Sequence, residues 1–198
     1  GVRSNSIEKT DKHYIIYHDN QKEIEADYVV LSIPDRAAKD LLHDSELDDD
    51  FAKLKNSSLI SIYLGFDLPD SKLPADGTGF IVSKNNSLLC NACTWTSRKW
   101  PNTSENGRLL VRLFYKSNIP SYPELDAMDE EQLLQVGLRD IEQALGFKET
   151  PISIEITKWK NAMPNYTIQH PESIKSLNEK LASNYPNIVI AGCSYYGV

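Results

Sequence analysis

The chain has 198 residues, 40% of them hydrophobic and 25% charged, with a formal net charge of −7, which is room for one sizeable domain or two small ones of ordinary globular composition. The acidic balance leaves no Lys/Arg cluster to replace counterions on phosphates, which argues against a nucleic-acid partner but not against a local basic pocket for an acidic small molecule. No apolar stretch reaches the roughly 18 residues of a membrane span, and nothing at the start has the pattern of a signal peptide.

The opening "GVRSNSIEKT" reads as cut from the middle of a longer chain. In "HYIIYHDNQKEIEADYVVLSIP", Tyr14–Tyr17 predicts a strand, "DNQKE" a polar turn, and "DYVVLSI" an apolar strand closed by Pro34. "YVVLSI" is apolar almost throughout, so burial on both faces is expected, as in an α/β core. "PDRAAKDLL" predicts a helix with Pro34 near its first turn, and "SELDDDFAKLK" a second, short one.

Three strands follow, "SLISIYLGF", "GFIVS" and "LLCNACTWT", with the loop "DLPDSKLPADGTG" after the first. "GRLLVRLFYK" is another. Arg112 is the one charge inside its apolar run, so most of this strand is expected to be buried. Hairpin-length gaps between these strands suggest an antiparallel or mixed sheet.

"DAMDEEQLLQVGLRDIEQALGF" predicts the best helix. Asp126 is the expected N-cap, Leu134, Leu138, Ile141 and Leu145 share one face, and Gly146 closes the helix. "PISIEITKWKNAMPNY" predicts a long strand running into a Pro-containing turn. "HPESIKSLNEKLASNYP" predicts a helix with Ile174, Leu177 and Leu181 inward, and "NIVIAG" the last strand. The fold class is therefore α+β: a mixed or antiparallel sheet with helices, flanked at each end by strands that look like α/β sheet. The expected organisation is residues 1–35, 36–168 and 169–198, the first and last belonging together.

Self-contained chemistry is absent from the spacing. There is no GxGxxG, P-loop, GxSxG or HExxH, no metal-ligand set around the four histidines, and no catalytic residue to nominate. "CNAC" matches CxxC, but within an expected strand Cys90 and Cys93 would point to opposite faces. Two buried structural cysteines are the expectation. "DGTGF" is glycine-rich without a following helix to hold phosphate, so a hairpin turn is its plain reading.

Taken together and in order, "ADYVVLSIP", "TKWKNAMPNYTIQH" and "NIVIAGCSYYGV" resemble the second half of a flavoprotein of the oxygen-dependent protoporphyrinogen/coproporphyrinogen oxidase family, in its Gram-positive bacterial branch. "GTGFIVS", "CTWTSRKWP" and "GRLLVRLFYK" match the same branch in order. The resemblance implies an FAD domain with a substrate domain inserted in it. It implies FAD as cofactor, with a porphyrinogen and O2 as reactants, in haem biosynthesis. It also implies a cytoplasmic enzyme, with peripheral membrane contact of the parent as a variant. Ser4, Trp159, Gly197 and Val198 are the residues it places toward FAD. Thr78, Gly79, Ile81 and Phe114 are those it places toward substrate; Arg98, Lys99 and Arg112 are candidate cations for the propionates of such a ligand, with solvated surface as the plain reading of each. The family's glycine before the histidine of "PNYTIQH" is Gln169 here. The dinucleotide glycine motif is expected before Gly1, so the 198 residues alone are expected to bind little FAD, to be inactive, and to self-associate through exposed strand edges. Competing readings are a related FAD amine oxidase or desaturase, and a stand-alone module for an apolar ligand.

Overall fold

A computed structural model describes residues 2–20, 22–83 and 86–197. In chain order the elements are β1 (Ser4–Lys9), β2 (Tyr14–His18), β3 (Glu23–Ala26), β4 (Val29–Leu31), α1 (Asp35–Leu42), α2 (Ser45–Lys53), β5 (Lys55–Pro69), β6 (Gly79–Ile81), β7 (Ala92–Thr94), α3 (Thr96–Lys99), β8 (Arg108–Lys116), α4 (Tyr122–Ala127), α5 (Glu130–Leu145), β9 (Ser153–Asn165), α6 (His170–Asn184), β10 (Ile188–Ile190) and α7 (Cys193–Tyr196). This is the α+β class expected, with antiparallel sheets and helices.

The chain forms two compact units, Gly1–Asn56 with Met163–Val198, and Ser57–Ala162. The boundaries expected at 35/36 and 168/169 therefore move to 56/57 and 162/163. The reason is packing: Ala38, Leu42, Leu47 and Phe51 from α1 and α2 share one apolar core with Leu177, Leu181, Ile188 and Ile190.

In the first unit, β1, β2 and β3 form an antiparallel sheet, and β4 pairs in parallel with β10. Two sequence expectations change here. The polar turn after β2 leads into β3, not directly into "DYVVLSI", because Glu23–Ala26 completes the hairpin. The β4 run is also not buried on both faces. Leu31 faces the core, while Tyr28 is 74%, Val30 62% and Val189 52% exposed. A parallel sheet is covered on both faces in a complete α/β layer; this pair is covered on one. Gln169 takes an ordinary helical φ of −81° at the start of α6, so no glycine is required there.

In the second unit the sheet order is β6-β7-β8-β5-β9. Alternation sorts β5 and β8 cleanly. Ile60, Ile62, Leu64 and Phe66 with Leu109, Val111, Leu113 and Tyr115 form the core beneath α5. Gly137 brings α5 close: a Cβ there would meet Leu113 Cδ1 at 3.3 Å and Ile62 Cγ2 at 3.4 Å. The expected long helix is two helices. Met128 has extended geometry between them, and the cap of α5 is Asp129, not Asp126, in a reciprocal capping box with Gln132. The buried face of α5 is Leu133, Val136, Gly137, Asp140 and Ile141. Leu134, Leu138 and Leu145 lie on its shoulder, partly buried.

Candidate functional site: one face of the five-stranded sheet

The other face of this sheet carries most of the residues singled out above. Cross-strand pairing sets them in two rows. One runs Ile81, Ala92, Phe114, Ser61, and the other Gly79, Thr94, Arg112, Tyr63. Directly opposed residues on antiparallel strands point to the same side, so the two rows share one surface. From β9, Trp159 reaches it by donating its indole N–H to Ser61 Oγ at 3.1 Å.

The surface is flat, aromatic and half-exposed. Trp159 is 45% and Ile81 88% exposed, whereas Ser61 beneath the indole is buried. Arg112 lies with its guanidinium carbon 4.7 Å from the Tyr63 ring centre and 4.5 Å from that of Phe114. Its Nε is shielded from solvent and has no hydrogen-bond partner among the described residues.

Gly79 is fixed by sterics. Its φ is +151°, and a Cβ would fall 2.3 Å from the Cys93 carbonyl oxygen, so only glycine lets β6 lie this close to β7. Thr78 stands just before the strand, exposed, with its carbonyl accepting from Trp95 N–H at 2.8 Å.

The three cations separate. Arg98 is consumed by structure: it holds Asp70 with two N–H groups and donates to the carbonyls of Asp70, Pro74 and Gly77, clamping the loop that leads to β6. Lys99 is exposed over the Trp100 ring. Arg112 alone of the three lies on the sheet face.

Sequence reading missed Tyr63, Ser61, Ala92 and Thr94. A signal existed in "SLISIYLGF", where Ser61 and Tyr63 alternate with Ile60, Ile62 and Leu64.

The other residues assigned to FAD lie in the first unit. Ser4 is on β1, an edge strand, opposite His18, and its Oγ lies 3.2 Å from His18 Nδ1. The outer backbone of an edge strand is unpaired, which suits the main-chain contact expected at this position. Gly197 has φ +86° and open space where a Cβ would stand. It borders a concavity of about 670 Å³ lined by Tyr166, His170, Ile174, Tyr195 and Tyr196. His170 Nε2 lies 2.9 Å from the Tyr195 carbonyl oxygen; since a carbonyl only accepts, Nε2 carries the proton. Val198 lies outside the described residues.

The test for FAD is what these positions leave free. Gly197 leaves room for close backbone approach, and β1 has an unpaired edge. Trp159 leaves its flat face, but its N–H is already committed to Ser61. Taken unit by unit, the first fits main-chain contact to FAD at Gly197 and the β1 edge, and the second fits a flat aromatic contact at Trp159.

Cys90 and Cys93 are free, buried thiols. Burial, with the negative charge of Asp140 nearby, pushes Cys90 far up; burial pushes Cys93 up to about 12. Their inertness comes from burial and not from opposite strand faces, because β7 begins only at Ala92.

With fold and surface in view, the chain can be placed. Residues 1–198 match the family described as flavin containing amine oxidoreductase, and the chain belongs to that family. It is similar to the coproporphyrinogen III oxidase of Bacillus subtilis (strain 168), 29% identical over 100% of this chain and 42% of that protein. The coproporphyrinogen III oxidase of Staphylococcus aureus is 27% identical over 96% of this chain and 40% of that protein. A solved structure from Exiguobacterium sp. 255-15, provisionally named a protoporphyrinogen oxidase, superposes with a TM-score of 0.80 at 31% identity, covering 100% of this chain and 42% of that one. The chain thus spans 40–42% of the length of these relatives.

Proposed function

We propose that the chain is the substrate-facing part of an FAD-dependent, oxygen-dependent porphyrinogen oxidase of haem biosynthesis, acting on coproporphyrinogen III or protoporphyrinogen IX. The observation that carries this reading is the single sheet face on which Gly79, Ile81, Phe114 and Trp159 converge. A porphyrinogen is a broad apolar ring system bearing a few carboxylates. It calls for aromatic and aliphatic surface with a cation at the rim or floor. The unit Ser57–Ala162 carries that surface; Ser4 and Gly197, the residues proposed for FAD, belong to the other unit.

FAD, when bound, supplies hydride acceptance, with O2 as final acceptor. The chain's own part is to bind, orient and shield. Phe114 and Ile81 give the ring apolar contact. Trp159, the residue proposed for the flavin, is held in one orientation by its bond to Ser61, so its flat face is presented to that cofactor at little entropic cost. No general acid or base is assigned. The reading places the enzyme in the cytoplasm; among the described residues no helix is long and apolar enough to cross a membrane.

The test is turnover by the protein in its native reading frame, loaded with FAD and supplied with O2. Growth of porphyrin fluorescence from coproporphyrinogen III or protoporphyrinogen IX is the expected result. Oxidation of a primary amine such as putrescine, with no porphyrin formed, would replace this reading by an amine oxidase. Residues 1–198 alone lack the glycine motif that grips the pyrophosphate. They are expected to purify without a stoichiometric flavin spectrum.

A further inference from the structure

β6 is a slight element in a demanding place. It has three residues, lies at the sheet edge and has only β7 beside it. Yet it carries Gly79 and Ile81 into the two rows of the open face. Three ladder positions against one neighbour are a small hold. The chain before it, residues 70–78, is mostly exposed, and Leu73 is its one buried side chain. A segment with so little core contact needs other anchors to keep one position.

Those anchors come from one short stretch, residues 95–98. Arg98 holds Asp70 Oδ2 through Nε at 2.9 Å and Nη2 at 2.7 Å, and the Asp70 carbonyl through Nη2 at 3.0 Å. Its Nη1 donates to the carbonyls of Pro74 and Gly77. The Trp95 ring centre lies 5.2 Å from the guanidinium carbon, and Trp95 N–H takes the Thr78 carbonyl at 2.8 Å. The loop is thus pinned at Asp70, Pro74, Gly77 and Thr78, the last directly before β6. These five bonds from Arg98 match the five N–H groups of a guanidinium, so none is left for a ligand. Only a planar fork serves a carboxylate and several carbonyls together; an ammonium in its place is a point charge.

We propose that Arg98 is a positioning residue of the ring-binding face. Through the 70–78 loop it sets where β6 lies, and so how closely Ile81 meets the apolar ring. This rests on the porphyrinogen reading for the identity of the ring, and on the clamp for the rest. Arg98 touches no substrate and transfers no proton.

The experiment uses the enzyme in its native reading frame, loaded with FAD. Porphyrin fluorescence measures turnover of coproporphyrinogen III or protoporphyrinogen IX, whichever the wild type converts. R98K and D70A are each expected to raise KM about tenfold, the size of a lost isoleucine contact, with kcat within about twofold of wild type. I81A gives the same signature. In the I81A background R98K raises KM no further, because the clamp acts through that contact. A misfolded fraction lowers kcat and leaves KM in place, so poor folding does not imitate the expected result.

A D70A variant with the wild-type KM overturns the proposal, and is what a direct bond from Arg98 to a substrate carboxylate would give. So does R98K with the wild-type KM, or an R98K effect that is undiminished in the I81A background. In each of these cases turnover by the wild type leaves the porphyrinogen reading standing. A wild-type enzyme that forms no porphyrin removes that reading and this proposal with it.

Discussion

Asp140 is a buried carboxylate on α5 with no cation beside it among the described residues. Three donors hold it: the amide N–H of Leu89 at 3.1 Å, that of Cys90 at 2.8 Å, and the Tyr115 hydroxyl at 3.0 Å. These hydrogen bonds satisfy a buried polar side chain. The arrangement also explains a local surprise. The stretch "LLCNACTWT" promises a strand of its whole length, but its first half takes its backbone partners from a side chain instead of a ladder. Asp140→Ala strands two backbone donors and a phenol, and is expected to cost about 3 kcal/mol. Tyr115→Phe removes one donor and leaves the other two in place, so about 1 kcal/mol is expected. Urea unfolding of the two variants checks the ranking; equal losses would mean that the phenol, not the loop amides, carries the contact.

At the scale of elements, α2 and α6 are stapled by charge. Asp50 is buried on α2, with Lys180 Nζ at 2.7 Å, Ser176 Oγ at 3.1 Å and Lys53 Nζ at 3.4 Å. Burial pushes its carboxyl up, but the hydrogen bonds from Lys180 and Ser176 and the charges of Lys180 and Lys53 outweigh it. Its folded value therefore lies below the ordinary 3.8. A depressed carboxyl contributes stability that is present above the unfolded value and is lost as pH falls through the folded one. Asp50→Ala is expected to cost about 2 kcal/mol at pH 7, and the gap to wild type should narrow below about pH 4. Thermal melts at pH 7, 4 and 3 measure it, and a gap that stays constant with pH would exclude the ionic account. Ser176 and Lys180 show why such a staple is hard to read from sequence. Both occupy ordinary solvated positions of an amphipathic helix, and only the fold brings Asp50 beneath them. The same limit moved the cap of α5. Asp126 and Asp129 are both plausible by type, and Asp129 wins because Gln132 stands three residues on and returns the bond. What was legible were the periodic apolar face of α6, the apolar run of β8 with its one charge, and the single-residue stop at Gly146. The site was legible only through a family resemblance. Its geometric sign, the lone Arg112 in an apolar strand, gains meaning once Tyr63 and Phe114 are known to flank it.

Across the whole molecule, each unit has closed its core over acidic hydrogens that the unfolded chain would release at high pH. In the second unit these are the thiols of Cys90 and Cys93 and the Tyr115 hydroxyl, all raised by burial first; the charge of Asp140 comes next for Cys90 and Tyr115, and for Cys93 the Arg112 backbone N–H partly offsets the rise. In the first unit, burial raises Tyr195, and burial with a bond to Asp44 pushes Tyr185 up to about 12. Unfolded thiols ionise near 9.0 and phenols near 10.0. Above those values the unfolded chain sheds protons that the folded chain keeps, so stability falls as pH rises from about 9 toward 12. Both units should weaken, since both carry such groups. The three tryptophans, Trp95, Trp100 and Trp159, all belong to the second unit. Tryptophan fluorescence therefore reports that unit, while far-ultraviolet dichroism reports both. The urea midpoint by each signal is expected to hold between pH 7 and 8.5 and to drop by pH 10.5. Over the same range a thiol reagent should modify exposed Cys193 in the folded protein and reach Cys90 and Cys93 only as fluorescence reports unfolding. A midpoint that stays level to pH 10.5 by both signals, or early labelling of all the thiols, would mean that these cores open more readily than their burial implies.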